Sequence, residues 1–300
     1  MSWNEDNLHR WLAKREVPAI LCGSPGHDAA VLHPAPGRPV ICADQTIEGV
    51  HFDSGARAGD VGRKAANRAL SDLAATAALP SSLVLTICAA ERVEAAWLRR
   101  LIESVSQAAQ AVGAELVGGD MAMAEGPTVI SVTACGVLPG KRRAPGRDRA
   151  RAGQQVVLTG AVGGSRARRH LRFEPRIELG RQLFELGATA MMDVSDGLAW
   201  DLYRLARASK VAIHLEHVPI HPDAKKATQK SGRKALDHAL HDGEDHELIA
   251  CLRDAVNLPA PTVAIGKVKR GSGLWLAPKL TGEEQAIEWN RSSGGWTHGL

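Results

Sequence analysis

Six aspartates in this sequence stand beside apolar runs or glycines, where a carboxylate can serve a binding site. Asp44 closes the apolar run 40–43, Asp120 follows a Gly-Gly pair, and Asp72 lies inside an apolar helical pattern. An aspartate at a strand end can reach a ligand in the crevice outside a sheet. The full set is Asp28, Asp44, Asp72, Asp120, Asp193 and Asp196.

Several carboxylates in one place repel each other unless cations offset their charge. At an effective dielectric constant near 20, two unit charges about 4 Å apart repel by roughly 4 kcal/mol, against a domain stability of about 5–15 kcal/mol. Oxygen ligands with few His or Cys residues nearby favour magnesium, which commonly acts together with substrate phosphates. The alternative is that each aspartate caps a helix or a turn, as Asp196 before Gly197 could. That alternative suits any single aspartate, whereas the whole set favours a metal site.

Standard nucleotide-binding motifs are missing from the sequence. It contains no Gly-x-x-x-x-Gly-Lys-Ser/Thr run and no Gly-x-Gly-x-x-Gly after a strand, and the glycine-rich stretch 160–165 has no lysine at the phosphate-binding position. Gly118 and Gly119 allow a close approach of the backbone to a phosphate. If the protein binds ATP, it therefore uses a different cradle.

Arginines are concentrated between Lys141 and Arg176. A solvated surface, a phosphate contact by one or two arginines, and a nucleic-acid patch are all open interpretations. Phe173 is the only aromatic residue among them, which disfavours nucleic acid because no stacking platform accompanies the charge. Ser195 lacks the Gly-x-Ser-x-Gly elbow of a hydrolase nucleophile.

Composition indicates an ordinary globular chain of 300 residues, with 44% hydrophobic and 23% charged residues and a net charge of +4. Five cysteines without Cys-x-x-Cys spacing argue against zinc and disulfides and predict a reducing, cytoplasmic location. The polar N-terminal segment is not typical of a signal peptide. The longest uncharged stretch, 73–90, is interrupted by Pro80, so we expect no membrane span.

Predicted strands and helices alternate in both halves of the chain, which indicates two α/β or α+β domains. The Arg-, Gly- and Pro-rich segment 141–153 separates them, so we predict domains over 1–140 and 141–300. Apolar periodicity predicts helices over 4–16, 60–78, 93–112, 175–186 and 198–208, with two short ones between 221 and 240. It predicts strands over 29–32, 40–43, 83–89, 115–117, 128–137, 155–159, 189–192, 211–215, 247–252 and 262–268.

Seven ordered motifs resemble those of the thiamine-monophosphate kinase family, in the superfamily of aminoimidazole ribonucleotide synthetase. They span nearly the whole chain, and the ending Gly-Trp-Thr-His at 295–298 is similar to the family's aromatic C-terminus. The motifs are Gly-His-Asp-Ala-Ala-Val-Leu at 26–32, Asp44 with Glu-Gly-Val-His-Phe at 48–52, Ala-Leu-Ser-Asp-Leu-Ala-Ala at 69–75, Gly-Gly-Asp at 118–120, Pro-Arg-Ile-Glu-Leu-Gly at 175–180, Met-Asp-Val-Ser-Asp-Gly-Leu at 192–198 and Gly-Glu-Asp-His-Glu-Leu at 243–248.

This resemblance implies two α/β domains, with N-terminal domains that pair into a β-barrel across a homodimer. It implies phosphorylation of thiamine monophosphate by ATP, giving thiamine diphosphate. Because phosphoryl transfer depends mainly on in-line positioning and charge neutralisation, we predict no protein nucleophile. By motif matching, the six aspartates named above would hold magnesium. Gly119, Asp120, Arg147 and Ser195 would contact ATP, and His51, Glu244 and Trp296 would line the thiamine-phosphate site, the tryptophan stacking on the cationic ring.

The sequence also departs from the family pattern. Acidic or hydroxyl residues are replaced at His27, Cys42, Ala43, Gln45, Met121, Ala122 and Gly164, and Asp242 replaces a glycine. These changes remove oxygen ligands, so we predict a weakened magnesium site and reduced activity. Two alternatives therefore stay open: another ATP-dependent reaction of the superfamily, and a diverged nucleotide-binding protein without catalysis. No cysteine precedes Cys22 and none ends the chain, which disfavours selenophosphate synthesis and the hydrogenase-maturation dehydratase.

Overall fold

The computed structural model describes residues 20–22, 29–254, 256–290 and 294. The predicted helix over 4–16 and the site candidates Asp28 and Trp296 lie outside this range. The described chain has a mixed α/β fold and forms two compact units. Unit 1 comprises residues 1–73 and 78–141, and unit 2 comprises 74–77 and 142–300. The division into an N-terminal domain over 1–140 and a C-terminal domain over 141–300 stays a prediction.

Unit 1 contains a four-stranded sheet in the order β3-β6-β4-β5 and a separate pair of short strands, β1 and β2. Neither edge of this sheet closes on the other within the described residues. The strands are β1 Ile20–Cys22, β2 Val31–Leu32, β3 Arg38–Ile47, β4 Leu79–Ala90, β5 Glu115–Ala124 and β6 Val129–Leu138. The helices are α1 Ala58–Ala75, whose last two residues belong to unit 2, and α2 Ala95–Gln110.

Helix α1 covers one face of this sheet. Residues of β6 alternate between buried and half-buried positions, as expected for a sheet with one covered face. The thiol of Cys42 on β3 donates to the Ala69 carbonyl of α1, with 3.2 Å between sulfur and oxygen. Helix α2 packs closely on α1, because a Cβ atom at Gly62 would lie 2.4 Å from the Leu101 carbonyl oxygen.

Unit 2 is built on a seven-stranded sheet in the order β13-β12-β9-β11-β7-β10-β8, in which only β9 and β12 pair in parallel. Its strands are β7 Gln154–Leu158, β8 Ala190–Asp193, β9 Ala212–Leu215, β10 Leu248–Arg253, β11 Val263–Lys269, β12 Gly273–Leu276 and β13 Ile287–Trp289. Its helices are α3 Ile177–Glu185, α4 Leu198–Ser209, α5 Pro222–Ser231, α6 Ala235–His241 and α7 Pro278–Thr281.

The central strands of unit 2 are buried on both faces, and alternate residues enter two separate hydrophobic clusters. On β10, Ile249 and Cys251 join the cluster that includes α4. Leu248 and Ala250 join the other cluster, which includes Leu183 of α3. Helices on both sides of a sheet bury both faces of a central strand such as β7, in which every residue is buried, including Gln154 and Gln155. This burial fixes the ends of β7, β8 and β10. The polar residues of the candidate site in unit 2 lie in the loops after β7 and β8 and in the turn before β10.

Two strands of unit 1 extend past the aspartates that were expected to end them. Asp44 lies within β3, opposite Val132, and Asp120 lies within β5, opposite Thr86. Aspartate is depleted in strands, but β3 and β5 are the edge strands of their sheet, where a charged residue is tolerated. In the described part of the chain, no helix is long and apolar enough to span a bilayer.

Candidate functional site

In unit 1, Asp44 on β3 forms a salt bridge with Arg68 on α1. Arg68 donates from Nε to Oδ2 over 3.0 Å and from Nη2 to Oδ1 over 2.9 Å, and the Gln45 amide donates to Oδ1 over 2.7 Å. Asp72 lies one helical turn after Arg68 and close to Cys42. Burial, followed by the charges of Asp72 and Asp44, raises the pKa of the Cys42 thiol to about 12.

Asp120 is far from Asp44 within one chain. The row of residues opposite Asp44 runs through Val132 and Leu85 to Gly119, three strands away. At about 4.8 Å per strand this is roughly 14 Å, whereas oxygens on one magnesium ion lie about 2 Å from the metal. Asp44 and Asp120 of one chain cannot share a single ion. Asp120 is exposed.

Gly119 has no room for a side chain. A Cβ atom there would lie 1.9 Å from the Leu85 carbonyl oxygen, whereas one at Gly118 would meet nothing within 4 Å. The two glycines therefore have different roles: Gly119 allows close pairing of β5 with β4, and Gly118 leaves open space beside the backbone.

His51 is buried in the turn after β3. The Ile47 amide donates to its Nδ1 over 3.0 Å, which places the proton of the neutral ring on Nε2. The buried Lys64 side chain donates to the His51 carbonyl over 2.6 Å. These bonds hold the turn, and the role of His51 toward a substrate stays a prediction.

In unit 2, Asp193, Ser195 and Asp196 occupy the loop between β8 and α4. This loop is held by Asp201, a fully buried residue of α4 whose Oδ2 accepts the amides of Ser195 and Asp196, each over 3.0 Å. Burial, with a further contribution from the charges of Asp196 and Asp193, raises the pKa of Asp201 to about 7. Asp196 is not the N-cap of α4. Gly197 occupies that position, so no side chain caps the helix.

Both loop aspartates have partners. Arg204 forms an ion pair with Asp196 and lies 4.9 Å above the Trp200 ring. His246 Nδ1 lies 3.0 Å from Asp193 Oδ2, and the His246 ring stacks on Phe173 with 4.1 Å between centroids. His246 Nε2 is buried without a hydrogen-bond partner among the described residues.

The turn before β10 contains two non-glycine residues with left-handed backbone, Glu244 at φ 52° and His246 at φ 51°. The Glu244 amide donates to the Ser195 carbonyl over 2.7 Å, which ties this turn to the loop after β8. Its carboxylate lies 3.3 Å from His170 Nδ1 and is partly exposed. Such backbone persists only where the surrounding structure holds it, and it is common in ligand-binding turns.

Buried carboxylates organise the glycine-rich loop after β7. Asp245 accepts the amides of Gly163 and Gly164, so these amides do not point at a phosphate. Glu247 accepts from Thr159 over 2.7 Å and binds Arg169 and Arg176. Burial raises the pKa of Asp245 to about 7, whereas the hydrogen bonds of Arg176 and Thr159 outweigh burial and lower the pKa of Glu247.

Several arginines of the basic segment therefore have structural roles. Arg142 donates to the Ala188 carbonyl over 2.8 Å, and its guanidinium lies 4.2 Å above the Phe184 ring. Arg169 and Arg176 neutralise buried carboxylates. Arg147 is exposed, and its role toward ATP stays a prediction.

Arg68, Asp201, Asp245 and His246 were not among the residues selected from the sequence. The spacing of Arg68 and Asp72, four residues apart on one helix, was the available signal for the first of these. The signal for Asp201 was an acidic residue in the first turn of a helix. Among the described residues, no group of three or more His, Cys, Asp or Glu side chains is arranged to hold a metal ion.

Known proteins match this chain over both units. Residues 26–138 match the family model described as AIR synthase related protein, N-terminal domain. Thiamine-monophosphate kinase of Rhodopirellula baltica is 37% identical over 87% of each chain. The Mycobacterium tuberculosis protein of the same name is 34% identical over 92% of this chain and 87% of its own length.

Solved structures are similar over most of the chain as well. AaThiL complexed with AMPPCP and TMP is 28% identical, with a TM-score of 0.78 over 98% of this chain and 95% of that one. Thiamine-monophosphate kinase from Stenotrophomonas maltophilia is 31% identical, with a TM-score of 0.76 over 90% of this chain and 94% of that one. The hydrogenase maturation protein HypE in complex with ATP, 20% identical with a TM-score of 0.74, shares the fold.

Proposed function

Because this chain belongs to the thiamine-monophosphate kinase family, we propose that it transfers the γ-phosphoryl group of ATP to thiamine monophosphate, forming thiamine diphosphate and ADP. The observation that carries the proposal is the extent of the similarity: relatives of this name are 34–37% identical over 87–92% of the chain, which includes both units. A related structure in complex with AMPPCP and TMP supports the same pair of substrates.

The proposed reaction is a direct in-line transfer without a covalent enzyme intermediate. Phosphoryl transfer depends mainly on positioning and on stabilisation of charge, so the protein has little covalent chemistry to perform. We propose that Gly119, Asp120, Arg147 and Ser195 contact ATP, and that Arg147 balances charge on the phosphates. The loop of Ser195 is suited to positioning because Asp201 binds two of its amides.

Magnesium would neutralise phosphate charge in this reaction. The six predicted aspartates differ in how well their carboxylates are placed to bind it. Asp193 and Asp196 supply carboxylate oxygens on one loop. The Arg204 partner of Asp196 is 35% exposed, so it can exchange for another cation. Asp120 is exposed and accessible. These aspartates, with Asp72 and Asp28, are the proposed ligands, whereas both oxygens of Asp44 are already bonded to Arg68 and do not form an open metal site.

We propose that His51, Glu244 and Trp296 line the thiamine-phosphate site. Glu244 is a suitable partner for a cationic ring because its carboxylate is partly exposed and its backbone is held by Ser195. The expected cytoplasmic location stays a prediction. Cys42, Cys88, Cys135 and Cys251 are not in disulfides, which is compatible with it.

We also propose a homodimer that forms through the uncovered face of the unit 1 sheet. Ile41 on this face is 71% exposed and Leu79 is 42% exposed. Both lie opposite β6 residues, Cys135 and Val137, that alternate with the residues facing α1. An exposed apolar sheet face of this kind is suited to a second copy of the same sheet.

The test is a kinase assay with purified protein, ATP, magnesium and thiamine monophosphate, followed by chromatography for thiamine diphosphate. We expect turnover, and we expect Asp120→Asn to lower kcat by about 100-fold, because it removes a carboxylate ligand of the magnesium that would offset the phosphate charge. Asp148→Asn is the matched control, since Asp148 is also exposed and belongs to no proposed site. ATP binding without turnover on thiamine monophosphate would instead support the non-catalytic alternative.

A further inference from the structure

We infer that Arg68 is a built-in counter-ion for Asp44 and takes the place of a divalent cation at this carboxylate. The inference rests on the proposed function in one respect: Asp44 stands at a motif position where the family is expected to bind magnesium. The observation itself is the two-point salt bridge between α1 and β3, with donor–acceptor distances of 3.0 and 2.9 Å.

Hydrogen bonds occupy most of the acceptor capacity of Asp44. Oδ1 accepts from both Arg68 Nη2 and the Gln45 amide, and Oδ2 accepts from Arg68 Nε. An ionised carboxylate offers about four acceptor positions in total. Three of them are therefore used by this chain, and any metal at the fourth would lie beside a guanidinium that is always protonated.

The surroundings hold Arg68 in place. Its side chain is 12% exposed and that of Asp44 is 25% exposed, compared with 35% for Arg204 in the ion pair with Asp196. A planar guanidinium that binds a carboxylate with two parallel hydrogen bonds is a strong and directional partner. Arg68 is therefore a more permanent counter-ion than Arg204.

Two neighbouring residues of β3 lack a side-chain oxygen that could bind a metal. Cys42 directs its thiol to the Ala69 carbonyl, Ala43 has no polar side-chain atom, and the backbone amide of Gln45 donates to Asp44. The replacement of oxygen-bearing side chains by Cys42 and Ala43 and the positive charge of Arg68 both disfavour a metal ion at Asp44. The chain therefore neutralises Asp44 with its own side chain and needs one fewer metal contact there.

The test measures equilibrium Mn²⁺ binding to the full-length protein by electron paramagnetic resonance, which reports unbound Mn²⁺. We expect Arg68→Met, which keeps an unbranched apolar stem and removes the charge, to tighten Mn²⁺ binding by about tenfold or to add one bound ion per chain. Arg68→Lys keeps the charge and should bind Mn²⁺ as the unmodified protein does. Arg63→Met is the matched control, because Arg63 lies on the same helix and pairs with Asp60 instead.

A second variant keeps the inference testable if Arg68→Met fails to fold. Asp44→Asn should leave the number of bound Mn²⁺ ions unchanged, because Asp44 is already paired with Arg68 and binds no ion. Loss of a bound ion in Asp44→Asn, or an unchanged isotherm in folded Arg68→Met, would overturn the inference. Mn²⁺ binding is measured without thiamine monophosphate, so its outcome is independent of whether the kinase assay succeeds.

Discussion

Asp245 is a buried acid whose protonation links pH to the stability of unit 2. Its side chain accepts the amides of Gly163 and Gly164, and burial raises its pKa from 3.8 to about 7. Between these two pH values the folded chain binds more protons at this site than the unfolded chain. Stability contributed by Asp245 is therefore fully present near pH 4 and is lost as the pH rises toward 7.

Asp245→Asn should remove this pH dependence. We expect the free energy of unfolding of the unmodified protein, relative to that of the variant, to fall as the pH rises from 5 to 7. The slope should be at most about 1.4 kcal/mol per pH unit, and it should flatten above pH 7. Urea denaturation at pH 5, 6, 7 and 8 measures it. Glu247, whose pKa is lowered, titrates below this window and is common to both proteins.

A difference that does not change between pH 5 and 8 would contradict the assignment of a raised pKa to Asp245. Asp148→Asn serves as the control, because Asp148 is an exposed aspartate of the same unit. Its unfolding free energy should follow that of the unmodified protein throughout the pH range.

At the scale of elements, apolar periodicity predicted most helices and strands to within a few residues of the observed bounds. It predicted helix 198–208, for example, and α4 is Leu198–Ser209. It failed where pairing extends an element beyond its apolar core: β5 was predicted as 115–117 but continues to Ala124, because residues 118–124 pair with β4. β12 and β13 were not predicted, since each has only three or four residues and they are defined by long-range pairing.

Gly119 offers a test of how closely β5 must approach β4. A methyl group there would lie 1.9 Å from the Leu85 carbonyl oxygen, so Gly119→Ala has to displace the strand. We expect a loss of about 2–4 kcal/mol of stability, typical of a severe steric clash in packed structure. Gly118→Ala, which meets no atom within 4 Å, should cost less than about 1 kcal/mol. Thermal and urea unfolding of the two variants measure the difference.

Equal stability of the two alanine variants would show that β5 is not held against β4 at Gly119. Kinase assays on both folded variants add a second measurement. A Gly118→Ala protein that is stable but binds ATP weakly would indicate that the open space beside Gly118 is used by the nucleotide.

At the scale of the whole molecule, sequence motifs identified the family, because most of them are short runs that remain recognisable without structure. The bonding of individual site residues could not be predicted. Asp44 was selected as a metal ligand, but its salt bridge with Arg68 depends on β3 lying beside α1, 24 residues later in the chain. The loop of Ser195 was likewise selected without Asp201, whose burial follows from the packing of α4.

The proposed homodimer is tested by Ile41, which is 71% exposed on the uncovered face of the unit 1 sheet. If two such faces pack together, Ile41→Glu places a charge in an apolar contact without a partner and should raise the dimer dissociation constant by at least about tenfold, since an unpaired buried charge costs several kcal/mol. Light scattering after size-exclusion chromatography measures the mass. Val50→Glu is the matched control: Val50 is 47% exposed but lies in the turn after β3, outside the sheet face. A monomeric unmodified protein, or an Ile41→Glu dimer as stable as the Val50→Glu dimer, would place the subunit contact elsewhere or remove it.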